Sequence, residues 1–334
     1  MDLMPSPEEE QIIDTARALL SKELPVDYLR WEKGAAAAPD RALLSAFAEL
    51  GWIALGLPED AGGFGFGATE EMLLFREAGR ALVTPMLMAA VIAARLAAAR
   101  GDAESVAALV SGERKVGLTI SADGGEPHYV IEGDGADHVL LVAGNRVALL
   151  PAGNFGERAP VAGVDGAVTL ERATLNEDGA ALSADGEAAR PLLRHLSLLI
   201  AATLVGAAEA VRDLTVAHAS ERSQFGQKIG SFQAVSHPCA DMAVRCEAAL
   251  SQAKLAAIAL RDGSEDAGFQ VQAARIVAID AAIANASAAI QLHGGMGFAA
   301  EYPIHFYLKR AHLLDQVGGA AASQLDAFFA LDAL

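Results

Sequence analysis

The chain has 334 residues, 53% of them hydrophobic, 20% charged and only 5% aromatic, with a formal charge of −18. This composition excludes an intrinsically disordered chain and supplies a large core packed by alanine, leucine and valine, which favours close-packed helices over a β-sandwich. The negative charge excludes a nucleic-acid surface, and any anionic ligand must be met by local positive groups.

In chain order, Ser6, Pro7 and Glu9 predict a helix start, with serine as cap, proline at the first helical position and glutamate closing a capping box. The first ten residues hold neither a basic region nor an apolar core, so no signal peptide is expected. Apolar residues at helical spacing predict helices over 8–22, 40–54, 69–82 and 86–99. Between two of these, Gly62, Gly63 and Gly65 follow Leu57, Pro58 and Glu59 in a tight turn. Helical periodicity then disappears. Short strands are predicted over 115–121, 129–132, 138–143 and 146–150, the last two flanking Gly144 and Asn145 as a hairpin. Helices return over 196–220, 240–261, 270–292, 303–315 and 320–330, apolar on most faces, as in a four-helix bundle or the interior of an oligomer.

The expected fold class is α+β and mostly α, with a helical unit over 1–112, a small β unit over 113–187 and a helical bundle over 188–334. The longest uncharged runs, 82–94 (interrupted by Pro85) and 195–208, fall short of a membrane span and are read as core helices. Cys239 and Cys246 lie seven apart on one helical stretch, too far for a strain-free disulfide, and are expected as reduced thiols in a cytoplasmic chain. No Cys/His cluster has zinc spacing, so no metal site is predicted.

Two segments carry the chemistry. The first runs from Glu221 through Arg222, Phe225 and Gly226 to Phe232 and Gln233, between two long helices. A guanidinium is the natural bidentate partner of a pyrophosphate, and glycine lets the backbone approach it. The second, Gln291 to Phe298, ends a helix with Gly294, Gly295 and Gly297, leaving amides that can take phosphate or adenine edges. A solvated arginine at a helix end and a plain glycine C-cap are the bland alternatives. His293 is read as structural.

Together with Glu301, Tyr302 and Pro303, these segments resemble the C-terminal half of the flavin-dependent acyl-CoA dehydrogenases, and Leu57-Pro-Glu with its glycines resembles that family's N-terminal domain. The resemblance covers nearly the whole chain, most clearly over 190–316. It implies a helical domain, a middle β domain and a C-terminal four-helix bundle that mediates a tetramer. It assigns Arg222, Phe225 and Gln233 to the FAD bound by a neighbouring subunit, and Gln291, Gly294 and Gly295 to the adenosine side of that FAD.

The resemblance also exposes what is missing. Dehydrogenation removes a proton alpha to a thioester while a hydride leaves the beta carbon, so a carboxylate must stand over the alpha carbon. Carrying the family pattern forward from Glu301-Tyr-Pro303 puts Gly318 at the usual glutamate, Gly319 at the following glycine, Ala320 at the threonine and Ala322 at a flavin-holding glutamine. The alternative position, near the start of the first long C-terminal helix, reads Arg194-His-Leu-Ser197. Asp315 is the nearest acid, about a turn away. The family's two ring-binding strand motifs are not visible between Val116 and Leu150, although Gly135-Ala-Asp-His138 resembles the strand entry after the second of them.

The expected function is therefore an acyl-CoA dehydrogenase subunit without its own base, paired with a catalytic homologue in a two-plus-two tetramer of the kind that acts on steroid side chains and bulky acyl-CoA esters. Its other expected partners are the acyl-CoA substrate and an electron-transfer acceptor. The alternatives are a self-sufficient homo-oligomer with a displaced base, Asp315 being the candidate, and a helical scaffold without a redox role.

Overall fold

The computed structural model describes residues 4–24, 41–121, 127–176, 182–320, 325 and 329. Five helices come first: α1 (Pro7–Glu23), α2 (Arg41–Glu49), α3 (Ala68–Arg80), α4 (Met86–Ala99) and α5 (Ala103–Val110). The predicted capping box is present: the Ser6 hydroxyl accepts from the Glu9 amide at 3.2 Å, and the Ser6 amide donates to Glu9 Oε2 at 2.6 Å. Helix α2 stops short of the expected residue 54 because Gly51 takes a left-handed φ of 74° and the chain turns repeatedly to residue 56. Helix α5 was not foreseen; eight residues give too little periodicity to read.

Seven strands follow: β1 (Val116–Ser121), β2 (His128–Ile131), β3 (His138–Ala143), β4 (Arg146–Pro151), β5 (Phe155–Pro160), β6 (Leu170–Leu175) and β7 (Leu182–Asp185). They form one sheet in the order β5-β6-β2-β1-β3-β4-β7, with β1 and β3 parallel and the other pairs antiparallel. The predicted hairpin is β3–β4, joined at Gly144 and Asn145. Its alternate residues serve two cores. Leu140, Val142, Val147 and Leu149 join the helical core, while Val139, Leu141, Ala148 and Leu150 pack with Val130 and Phe155 on the other face. Burial on both faces explains why these strands read as continuous apolar runs.

Four helices complete the described chain: α6 (Arg190–Glu221), α7 (Gln233–Arg261), α8 (Ala267–His293) and α9 (Ile304–Gln316). Helix α7 begins seven residues before the expected 240 and runs through Pro238, whose missing amide falls in the second turn, beside exposed Ala234. The expected helix over 320–330 lies largely outside the described residues. By length and composition α6 and α8 could each cross a bilayer, but the most apolar window of α6 is 83% buried inside the protein and that of α8 56% buried, as befits core helices.

Two contacts fix the layers. A Cβ at Gly79 would stand 1.9 Å from the Thr203 carbonyl oxygen, and one at Gly206 would stand 1.8 Å from that of Arg76, so α3 and α6 touch backbone to backbone. Arg76 Nε reinforces that seam by meeting Glu209 Oε2 at 2.7 Å, and Arg17 of α1 meets Glu77 of α3 at 3.0 Å. Farther along, the Arg310 guanidinium of α9 donates to Asp165 in the β5–β6 loop at 2.5 Å and to the carbonyls of Leu82 and Val83 at 2.8 and 2.6 Å. Both side chains of that pair are almost wholly buried.

Removing one member of a buried pair leaves an uncompensated charge. Asp165→Ala is therefore expected to cost about 3–5 kcal/mol in urea unfolding, and the double variant Asp165→Ala/Arg310→Leu to recover a large part of it.

Candidate functional site

The two sequence segments meet at one end of the helical bundle. Helix α6 ends at Glu221, and the Arg222 amide caps it by donating to the His218 carbonyl at 2.9 Å. The chain then makes a short hairpin, β8 (Ser223–Gln224) and β9 (Gln227–Lys228). Its two turn residues, Phe225 and Gly226, both have positive φ, 53° and 81°, as a tight two-residue turn of the twist-matching kind requires. Glycine takes that conformation freely, whereas phenylalanine pays for it. Phe225 is nonetheless 92% exposed, with only Phe232 set edge-on 6.2 Å away. A strained, exposed aromatic at a loop tip is a mark of contact with another molecule.

The opposite wall is the end of α8. Gln291 is exposed in its last turn, and Gly294 leaves the helix with φ 59° and ψ −135°. Nothing lies within 4 Å of a Cβ built at Gly226, Gly294 or Gly295, so their backbones are open to a ligand. Gly297 is different: a Cβ there would stand 2.5 Å from the Ile290 carbonyl, which fixes how the turn folds back. Gln233, the first residue of α7, is exposed beside the hairpin.

The walls are joined by two imidazoles. His218 of α6 stacks on His293 of α8 with ring centroids 4.3 Å apart and planes 24° apart. Burial holds both rings below the ordinary histidine range. Arg222 adds to this at His218, and the neighbouring His218 ring adds to it at His293, where the Ala289 carbonyl pulls the other way. The structure thus brings Arg222 and the Gly294–Gly295 backbone to adjacent positions. In a chain of charge −18, Arg222 and Lys228 supply positive charge there, with the Lys228 ammonium donating to the Glu221 carbonyl at 2.7 Å. These donors and bare amides fit the phosphates and adenosine of a dinucleotide.

Gly318 lies elsewhere, where α9 ends. Gly318 and Gly319 take φ of 68° and 106°. Beneath them sits Arg275 of α8, 1% exposed, donating to the carbonyls of Val317 at 2.5 Å and Gly319 at 3.0 Å. Burial brings its pKa down to about 10, against the pull of Asp315. A Cβ at Gly318 would stand 3.6 Å from Arg275 Nη1 and 3.6 Å from Val142. Asp315 is half-buried, with its carboxylate accepting from Gln316 at 3.2 Å.

The sequence did not reveal a carboxylate arriving beside Arg194-His-Leu-Ser197 from α3. Glu71, 1% exposed, lies 2.7 Å from His195 Nε2 and pairs with Arg95. Burial alone would raise the Glu71 pKa, but His195 and Arg95 prevail and hold it low. Arg95 and His195 border a cleft of about 1210 Å³ between α4, α5 and the start of α6. Nothing in the spacing of the three residues points to their meeting. No group of His, Cys, Asp and Glu that could hold a metal occurs among the described residues.

Two outcomes follow. Phe225→Asn, which tolerates left-handed backbone, is expected to stabilise the protein by about 1 kcal/mol in urea unfolding. Both histidines are held neutral by the fold, so their contribution is present above pH 6.5, the ordinary histidine value, and lost as pH falls below it. Between pH 7 and pH 5 the melting temperature of wild type should therefore fall more than that of His293→Phe.

Comparison with known proteins agrees with this architecture. Residues 6–112 match the family model described as "Acyl-CoA dehydrogenase, N-terminal domain", and residues 186–328 that described as "Acyl-CoA dehydrogenase, C-terminal domain". The chain is 34% identical over 313 residues to acyl-CoA dehydrogenase IpdE2 of Mycobacterium tuberculosis, covering 92% of each protein. It is 37% identical over 291 residues to acyl-CoA dehydrogenase FadE34 of the same organism, covering 81% of this chain and 39% of that one. Among solved structures it resembles a variant of the Tcur3481–Tcur3483 steroid ACAD, with TM-score 0.82 and 26% identity over 96% of each chain. With a relative this similar along nearly its full length, the chain belongs to the acyl-CoA dehydrogenase family.

Proposed function

We propose that this chain is a subunit that supports FAD-dependent α,β-dehydrogenation of an acyl-CoA thioester without a complete active site of its own, in a tetramer with a catalytic homologue. The observation that carries the reading is an asymmetry. Arg222, Phe225, Gln233, Gln291, Gly294 and Gly295 stand exposed around one end of the bundle, while the position aligned with the catalytic glutamate is Gly318. Members of this family bind FAD, which supplies the hydride acceptor when bound. In this chain Arg222 would hold the pyrophosphate, Phe225 and Gln233 would contact the same dinucleotide, and Gln291 with the Gly294–Gly295 amides would take its adenosine side.

Arg275 presents a cation under Gly318, and Glu71 is tied up by His195 and Arg95. Two likenesses add weight: FadE34 is long enough to hold a second unit of this size, and the steroid ACAD carries two protein names. A bulky, steroid-like acyl group, as the name of that steroid ACAD suggests, is the substrate class proposed, with oxidation in the cytoplasm and electrons passing to a separate acceptor.

The test is enzymatic. The isolated chain should not oxidise an acyl-CoA. The complex recovered from the native host by a tag on this chain should do so, and Arg222→Ala in that complex should weaken FAD binding by about 10- to 100-fold, the worth of a charge-assisted hydrogen bond. Steady oxidation by the isolated chain would instead favour a self-sufficient enzyme, with Asp315 as the base to substitute first.

A further inference from the structure

The joint between the two walls has features that simple packing does not require. His293 Nδ1 lies 2.7 Å from the Ala289 carbonyl. A carbonyl only accepts, so Nδ1 carries the proton and Nε2 is bare. That nitrogen is buried and has no hydrogen-bond partner among the described residues. A leucine would fill the space without leaving a polar atom unsatisfied, so the flat stacked ring calls for an explanation. Tyr302 lies 5.2 Å from His293 at a tilt of 50°, and His218 lies on it at 4.3 Å. The ring is thus fixed by two aromatic contacts and one hydrogen bond.

Each stacked residue is tied directly to a ligand-facing element. The His218 carbonyl accepts from the Arg222 amide at 2.9 Å, so His218 sets where the guanidinium begins. His293 immediately precedes Gly294, where the chain turns out of α8, and the Gly294 amide donates to the Gln291 carbonyl. Sliding one ring across the other would change the separation between Arg222 and the Gly294–Gly295 backbone. Elsewhere the second hydrophobic cluster holds α6 and α8 together through Val211, Ala286 and Ile290.

We propose that His218 and His293 are positioning residues: their stack sets the gap between Arg222 and the Gly294–Gly295 amides so that both reach one dinucleotide held by a neighbouring subunit. The proposal rests on the reading of the preceding section. It assigns the pair no contact with substrate and no proton transfer. The stack acts through geometry, and any flat ring of similar size at either position preserves it.

The experiment uses the complex recovered from the native host by a tag on this chain, with FAD dissociation followed by flavin fluorescence and melting followed separately. His218→Ala and His293→Ala should each raise the FAD Kd by about 3- to 10-fold, the worth of an aromatic pair. His218→Phe and His293→Phe, which keep a ring to stack, should return Kd close to wild type. If the alanine variants fail to fold, His218→Gln and His293→Gln fill the space without a ring and should show the same rise. Arg222→Ala is the internal marker. Loss of FAD on Arg222→Ala with unchanged Kd in the ring-less histidine variants overturns the positioning role and leaves the trans-binding reading intact. A lowered melting temperature with unchanged Kd overturns it equally. Unchanged FAD binding in Arg222→Ala overturns the trans-binding reading itself.

Discussion

A single buried guanidinium links the parts of this molecule. Arg310 reaches from α9 to Asp165 in the sheet region and to the carbonyls of Leu82 and Val83 in the N-terminal helices. A buried charge is tolerable only when nearly all its donors are met, so the three partners must hold their places together. Leu82 accepts a left-handed φ of 53° as part of that arrangement. Tyr307, one turn earlier on α9, donates to the Arg80 carbonyl at 3.0 Å and ties the same corner again. Because α9 follows directly from the Gly294–Phe298 turn, the clasp also fixes where that turn sits.

Given that frame, the electrostatics of the site follow. The chain carries a strong negative charge, and several of its acids are committed where helices meet. Glu209 and Glu77 serve the α1–α3–α6 seam, Asp213 pairs with Arg80, and Glu71 with Arg95 and His195. At the far end of the bundle Arg222 and Lys228 stand with Glu221 beside a row of open glycine amides. Local rather than net charge decides what such a surface can hold. Around Gly318 the arrangement is the reverse. A buried cation supports the loop from below, and a carboxylate there would be paired rather than free to take a proton.

Much of this was legible in the residues. Long helices declare themselves by periodicity, and α1, α3, α4, α6 and α8 lie close to where apolar spacing puts them. The β3–β4 hairpin is marked by its glycine turn. Edge strand β5 and its neighbour β6 are not legible in the sequence, because residues such as Glu157, Arg158, Glu171 and Arg172 give them a polar, loop-like pattern that pairing in the sheet overrides. Helix α7 was begun late because Pro238 looks like a boundary when only local rules are applied. At the candidate site, Arg222, Phe225, Gln233 and the Gln291–Gly295 run stand out in the sequence by their glycines and donors together with the family resemblance. The His218–His293 stack, the Glu71–His195–Arg95 trio and Arg275 beneath Gly318 could not. Each joins residues 24 to 124 positions apart by their numbering, and only tertiary packing brings them together.

The central claim is that this chain grips a coenzyme belonging to a sister subunit and holds none of its own. Native mass spectrometry of the intact tetramer counts FAD directly. Two FAD per four chains, with two chains of a different mass present, is the expected result. Four FAD on four identical copies of this chain would contradict the account.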